Sequence, residues 1–276
     1  MEFVDFKQGI RGHKLEIIFP GWQAGENVAF YSPHDDDIVL GAGALVHAVM
    51  KNGGHPRIFI FCRGDAGYSS TREKNSIAKV REAESARAYG ELDVPTGAIT
   101  RFDIPDFALM ETLIRRPSVL GETVFDRLIA HLRADKISRV VFSSGHNEHA
   151  DHTAAFLHGI YTSPQAGDPI LTDLGPPSPI RSYLAYSVWT DFAPAAEPGG
   201  WPADKGVLAG SDEENAVRRA LEAFSSQGKI MAGTAAASRE ARRTEGGFLE
   251  LHRTVDIRKP VDYAPYQERL KGIRKA

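Results

Sequence analysis

Two short clusters hold most of the residues able to do chemistry. The first is Ser32-Pro33-His34-Asp35-Asp36-Asp37, and the second is His146-Asn147-Glu148-His149-Ala150-Asp151-His152. Three consecutive aspartates after a histidine repel one another unless a cation offsets them. The second cluster places three of the chain's 10 histidines and two acids in one short loop. Neutral imidazole is the commonest metal ligand, and a carboxylate beside it commonly fixes its tautomer. Each cluster also has a plainer reading. The aspartates could cap a helix beginning near Gly41, and Asp151 could cap one over Thr153–Ile160. Taken together they offer a His₂Asp set with open positions, a catalytic type of zinc site.

Both clusters follow short apolar runs. Asn27–Ser32 and Arg139–Ser143 read as buried strands, as do Arg57–Cys62 and Ala98–Phe102. Between them Gly41–Lys51, Asn75–Tyr89 and Thr123–Arg133 read as helices. Strands alternating with helices predict an α/β fold: a Rossmann-like three-layer sandwich, its sheet mainly parallel, with helices on both faces. Parallel strands would carry both clusters on the carboxyl rim of the sheet, where α/β proteins bind ligands. Further on, Arg181–Trp189 and Phe248–Leu251 read as strands. Ser211–Phe224 reads as a helix with Ser211 as N-cap and Glu214 completing a capping box. Tyr161–Pro179 and Ala193–Asp204 are rich in Pro and Gly and read as loops that shape a pocket mouth. Near them Trp189, Phe192 and Trp201 could stack on a ligand or simply pack. With no repeat and no clean linker, residues 1–276 read as a single domain.

The two clusters resemble the motifs of the PIG-L/LmbE-like family of zinc-dependent N-acetylglucosamine deacetylases. The family's His-Pro-Asp-Asp-Glu reads here His34-Asp35-Asp36-Asp37-Ile38, and its His-Pro-Asp-His reads His149-Ala150-Asp151-His152. Asp35 and Ala150 stand where the family has proline, and Ile38 where it has glutamate. The resemblance implies Zn2+ as cofactor, held by His34, Asp37 and His152. It makes Asp36 the general base and zinc-activated water the nucleophile. His149, oriented and charged by Asp151, would face the carbonyl oxygen. Gly64-Asp65-Ala66-Gly67 is similar to a family Gly-Glu-x-Gly loop. Arg81 and Glu84 match an Arg-x-x-Glu whose arginine meets sugar hydroxyls, and their plainer reading is a surface i,i+3 salt bridge. Ser226-Gln227 and Glu245 resemble later family positions. The implied activity is removal of an N-acetyl group from an N-acetylglucosamine-type sugar or glycoside. The rival within this fold is a metal- or sugar-binding protein that has lost turnover.

The rest of the composition narrows the field. A net charge of -3 over 276 residues gives no basic field for nucleic acid. No apolar run reaches membrane-spanning length and the first residues carry charges throughout, so a cytoplasmic enzyme off the membrane is expected. Cys62, the only cysteine, lies in an apolar run and is expected to be a buried, inert thiol. Gly41-Ala42-Gly43 lacks the third glycine of a dinucleotide fingerprint and follows an acidic run that would repel a pyrophosphate. The expected partner is a small N-acetylated sugar or glycoside; a homo-oligomer is left open.

Overall fold

The computed structural model describes residues 1–113, 123–146, 148–189, 192 and 201–273, the side chains of 232 and 234 excepted. Asn147 and residues 193–200 of the second expected loop lie outside these. The strands are β1 (Glu2–Asp5), β2 (Ile10–Gly12), β3 (Asn27–Ser32), β4 (His55–Cys62), β5 (Ile99–Ile104), β6 (Ile137–Ser143), β7 (Ser182–Tyr186), β8 (Lys205–Ala209), β9 (Arg243–Thr244) and β10 (Gly247–Thr254). The helices are α1 (Asp37–Lys51), α2 (Ile77–Gly90), α3 (Val124–Ala134), α4 (Ala150–Leu157), α5 (Ser211–Glu222), α6 (Gly228–Arg242) and α7 (Ala264–Lys271).

The strands form one sheet in the order β2-β1-β8-β10-β7-β6-β3-β4-β5, with β9 paired to β10. Its half from β7 to β5 is parallel, as predicted, because each strand is reached by a crossover. The other half is antiparallel, so the sheet is mixed rather than mainly parallel. Short connections can leave the β1–β2 and β9–β10 pairs only antiparallel, while tertiary packing, not chain connection, sets the β1–β8, β8–β10 and β10–β7 pairs.

Side chains alternate across the parallel strands and feed two cores. Val28, Phe30, Ile58 and Ile60 pack with α1 and α5 residues such as Val39 and Val217, while Ala29, Tyr31, Phe59 and Phe61 pack with Leu128 and Ala155 of α3 and α4. Helices therefore cover both faces, as expected. The start of α5 differs in detail: Gly210 is the N-cap, and Glu213 rather than Glu214 accepts from its N–H at 2.9 Å.

One buried cation organises the segment that reads as the first Pro/Gly-rich loop. Arg133 of α3 donates to the carbonyls of Gln165, Ala166, Asp168, Ile170, Leu171 and Gly175 at 2.6–3.2 Å. Removing one partner of a buried hydrogen bond leaves the other to bear its desolvation cost. Arg133→Met is therefore expected to lower stability by about 2–4 kcal/mol, read by urea denaturation. An unchanged midpoint would show that water replaces the guanidinium without cost.

Candidate metal centre

β3 and β6 are neighbours and parallel, so their carboxyl ends bring the two clusters onto one rim. His34 follows β3, and Asp37 opens α1. Asp36 occupies the N-cap position, yet its side chain makes no capping bond. The acidic turn is thus not explained by capping. The Asp37 carboxylate instead turns back to accept from His34 N–H at 2.7 Å. In the second cluster His149, not Asp151, is the N-cap of α4, its Nδ1 accepting from Asp151 N–H at 3.2 Å. Asp151 lies inside the first turn, which frees both its oxygens for other partners.

Three donors converge. His34 Nδ1 and His152 Nε2 each lie 3.2 Å from Asp37 Oδ2. His34, Asp37 and His152 each offer a ligand atom within 4.8 Å of the others. Ligands bonded to zinc at 2.0–2.2 Å in a tetrahedron sit about 3.4 Å apart, so the spacing fits such an ion. His152 Nε2 is buried and makes no hydrogen bond. The opposite nitrogen, Nδ1, lies 2.5 Å from Glu148 Oε2. A ring held from behind by a carboxylate, with its other nitrogen left free toward neighbouring donors, is the arrangement of a ligating histidine.

Cys62 is also within reach of His34 and Asp151. Burial pushes its thiol pKa far up, and the nearby Asp151 and Asp106 charges add to that. It stays a buried neutral thiol, as expected from its run.

The electrostatics separate the two adjacent carboxylates. Burial raises the pKa of both, but His152 and His34 overcome it for Asp37 and hold that group far below the carboxylate range. Asp36 is raised: burial dominates, and Arg81 opposes it only in part. The imidazoles sit where positive charge is favoured. Burial disfavours charge on His34, yet Asp151 and Asp37 outweigh it and raise its pKa to about 10. His152 is raised to about 9 against burial, by Asp37 and Glu148. His149 departs from the sequence expectation that Asp151 charges it. Burial and the neighbouring His34 charge lower its pKa, against the weaker upward pull of Asp151.

Asp151 is tied to more than His149. Its Oδ2 lies 3.2 Å from His34 Nε2 and 3.4 Å from His149 Nδ1, and accepts from Phe107 N–H at 2.7 Å. Its Oδ1 accepts from Leu109 N–H at 3.2 Å. One carboxylate thus positions a ligand-type histidine, the capping histidine and the loop after β5. Phe107 in that loop has φ +68°, which a bulky residue seldom adopts. Its exposed ring lies 4.4 Å from that of His149.

Arg81, expected near substrate hydroxyls, is buried beneath the Gly64–Gly67 loop. Its Nε and Nη2 each lie 3.2 Å from Asp35 and Asp36 respectively. A Cβ on Gly64 would come within 2.6 Å of the Arg81 side chain, and φ is +73° there, so glycine is required. Asp35 is also held by Arg101 and by Ser85 Oγ, the latter at 2.5 Å. The Arg81–Glu84 surface salt bridge is not formed, and both side chains are buried. Glu84 accepts instead from Ser225 and from the backbone and hydroxyl of Ser226 at 2.7–2.9 Å. Gln227 donates to the Gly67 carbonyl at 2.9 Å. The late Ser226-Gln227 pair therefore closes over the glycine loop. Glu245 is exposed.

Sequence reasoning passed over four residues here: Glu148, Arg101, Asp106 and Phe107. Asp106 accepts from the N–H groups of Gly64 and Ala66 at 2.8 and 2.9 Å. Pro105-Asp106 follows the third parallel strand on the same rim, a signal that could have raised it. Glu148 was visible in the cluster but had no assigned task. Its Oε1 accepts from Ser187 Oγ, Val188 N–H and Trp189 N–H at 2.8–3.1 Å. Burial raises its pKa, but the His152 contact outweighs that and lowers it. Glu148→Gln keeps the shape and removes the charge behind His152. It is expected to weaken zinc binding by about 10–100-fold, measured by chelator competition; equal affinity would rule out that role.

The described residues thus combine a mixed α/β sheet with a candidate His₂Asp donor set on its parallel rim. Residues 29–160 match the family model described as PIG-L, GlcNAc-PI de-N-acetylase. That segment spans both clusters, and the match is to the family whose motifs they resemble. No curated protein matches the sequence. Solved structures share the fold. N,N'-diacetylchitobiose deacetylase from Pyrococcus horikoshii is 18% identical, with 83% of this chain and 84% of that one covered at a TM-score of 0.67. GalB, the 4-carboxy-2-hydroxymuconate hydratase of Pseudomonas putida KT2440, is 15% identical, with 87% and 100% covered at 0.62. A deacetylase of teicoplanin biosynthesis is 16% identical, with 83% and 99% covered at 0.59. Deacetylases and a hydratase on one fold mean that the fold alone does not settle the reaction. Among the described residues, no helix is long and apolar enough to cross a membrane.

Proposed function

We propose that this chain is a zinc-dependent hydrolase that removes the N-acetyl group from an N-acetylglucosamine-type sugar or glycoside. The observation that carries the reading is the convergence of His34 Nδ1 and His152 Nε2 on Asp37 Oδ2, each at 3.2 Å. These three would hold the ion. Zinc, when bound, supplies Lewis acidity toward the amide carbonyl and lowers the pKa of water from about 15.7 toward about 7.

The protein's own groups divide the remaining work. Asp36, kept basic by burial against the partial opposition of Arg81, takes the proton of the attacking water and returns it to the leaving amine. His149 sits at the mouth, half-buried, and donates toward the developing oxyanion, with Asp151 fixing its ring. Arg81 holds the Asp36 carboxylate in place. The exposed Phe107 ring beside His149 offers a flat apolar face for the C–H side of a pyranose. The family match over residues 29–160 and the deacetylases that share the fold favour an N-acetylated sugar over the hydratase chemistry of GalB.

The test is acetate release from N-acetylated mono- and disaccharide glycosides by the zinc-loaded protein, with a chelated sample beside it. Release that stops on chelation and returns with zinc is expected. A protein that binds zinc stoichiometrically and releases no acetate from any of them would be a binding protein, and deacetylation would be abandoned.

A further inference from the structure

Helix α1, whose first residue is Asp37, is not continuous. Ala42 sits at φ −144° and ψ 17°, outside the helical region, between Gly41 and Gly43. A Cβ on Gly41 would come within 2.3 Å of the Tyr186 ring and 2.8 Å of the Ser187 carbonyl. The helix is thus pressed onto the end of β7 where only a hydrogen fits. A break in a helix strands N–H groups after it and carbonyls before it.

Charged side chains from α6 and β10 answer both sides. Ala44 N–H and Leu45 N–H donate to the two separate oxygens of Glu250, each at 2.9 Å. The Arg242 guanidinium donates to the Leu40 carbonyl. Glu250 is itself buried, and its Oε1 lies 2.9 Å from Nε2 of the fully buried His252. In an unbroken helix the ladder of hydrogen bonds would hold the first turn in line with the rest. Here that turn, Asp37–Gly41, depends on side chains from elsewhere for its direction.

We propose that Glu250 and Arg242 are positioning residues for the metal centre. They fix the angle between the two halves of α1, so that the short first half carries Asp37 to His34 and His152. The proposal rests on the ligand assignment made above. It accounts for a carboxylate and a guanidinium spent on backbone groups of one helix, far along the chain from both motifs.

The experiment compares zinc affinity, by chelator competition, with thermal stability of the chelated protein. Glu250→Gln presents an NH2 to one of the two N–H donors, so one loses its acceptor. It is expected to weaken zinc binding about tenfold or more, as loss of an outer support of a metal ligand does. Arg242→Met opens the other side of the break and is expected to do the same; it also serves if Glu250→Gln fails to fold. Arg133→Met, which loosens a different segment, is expected to lower Tm and leave zinc affinity unchanged. Unchanged zinc affinity in a folded Glu250→Gln or Arg242→Met protein overturns the inference. So does an affinity loss no larger than Arg133→Met shows for the same fall in Tm. A wild-type chain that binds no zinc overturns the ligand assignment, and this positioning role with it.

Discussion

Asp36→Asn is expected to keep zinc and lose about 10²–10⁴ in kcat. Asparagine has the volume of aspartate and keeps an oxygen for the Arg81 guanidinium, which lies 3.2 Å from Asp36 Oδ1. It cannot accept a proton from water. The substitution also removes one of three adjacent negative charges, so Asp37 is relieved of a repulsion and its contact with His152 is not weakened. Metal content by mass spectrometry and Tm should therefore stay at wild-type values while acetate release collapses. The prediction rests on the contrast between two neighbours: Asp37 held ionised by two histidines, Asp36 raised by burial and by Asp37. Pairs of carboxylates whose surroundings push their pKa values apart are how one site obtains different tasks from the same side chain. Wild-type kcat in a zinc-loaded Asp36→Asn protein would remove Asp36 from the mechanism.

Much of this arrangement was legible in the chain itself, for identifiable reasons. The bounds of β3 coincide with the expected Asn27–Ser32, because an apolar run between turn-forming residues is a local signal. The expected helix at Gly41 begins four residues earlier, at Asp37. Apolar periodicity starts only after the acidic stretch, so the ligand-type aspartate was placed in a turn rather than on the helix. The sheet's antiparallel half was hidden for a different reason. Which strands become neighbours is decided by tertiary packing, and β8 is a short run with a glycine directly after a Pro/Gly-rich stretch. Arg101 could not be read as an Asp35 partner either. It lies within a strand, where a charge more often faces solvent, and only the register of β5 beside β4 turns it toward the carboxylate.

His152→Ala should lose the metal outright. Removal of a supporting carboxylate typically costs 10–100-fold in metal affinity, so loss of one of the three proposed donors is expected to exceed about 100-fold. Purified His152→Ala protein should carry far less than one zinc per chain, with no acetate release at wild-type zinc concentrations. The variant also removes the partner of Glu148 Oε2, a buried carboxylate oxygen that lies 2.5 Å from His152 Nδ1. Stability should fall with it, by about 3 kcal/mol, as when one member of a buried pair is deleted. The double variant His152→Ala/Glu148→Gln separates the two effects. Neutralising Glu148 should recover part of the lost stability, since no unpaired charge is left buried, but none of the zinc. Stoichiometric zinc in either variant would mean that the ion is held by other donors, and that the buried His152–Glu148 pair is a structural contact beside the site rather than part of it.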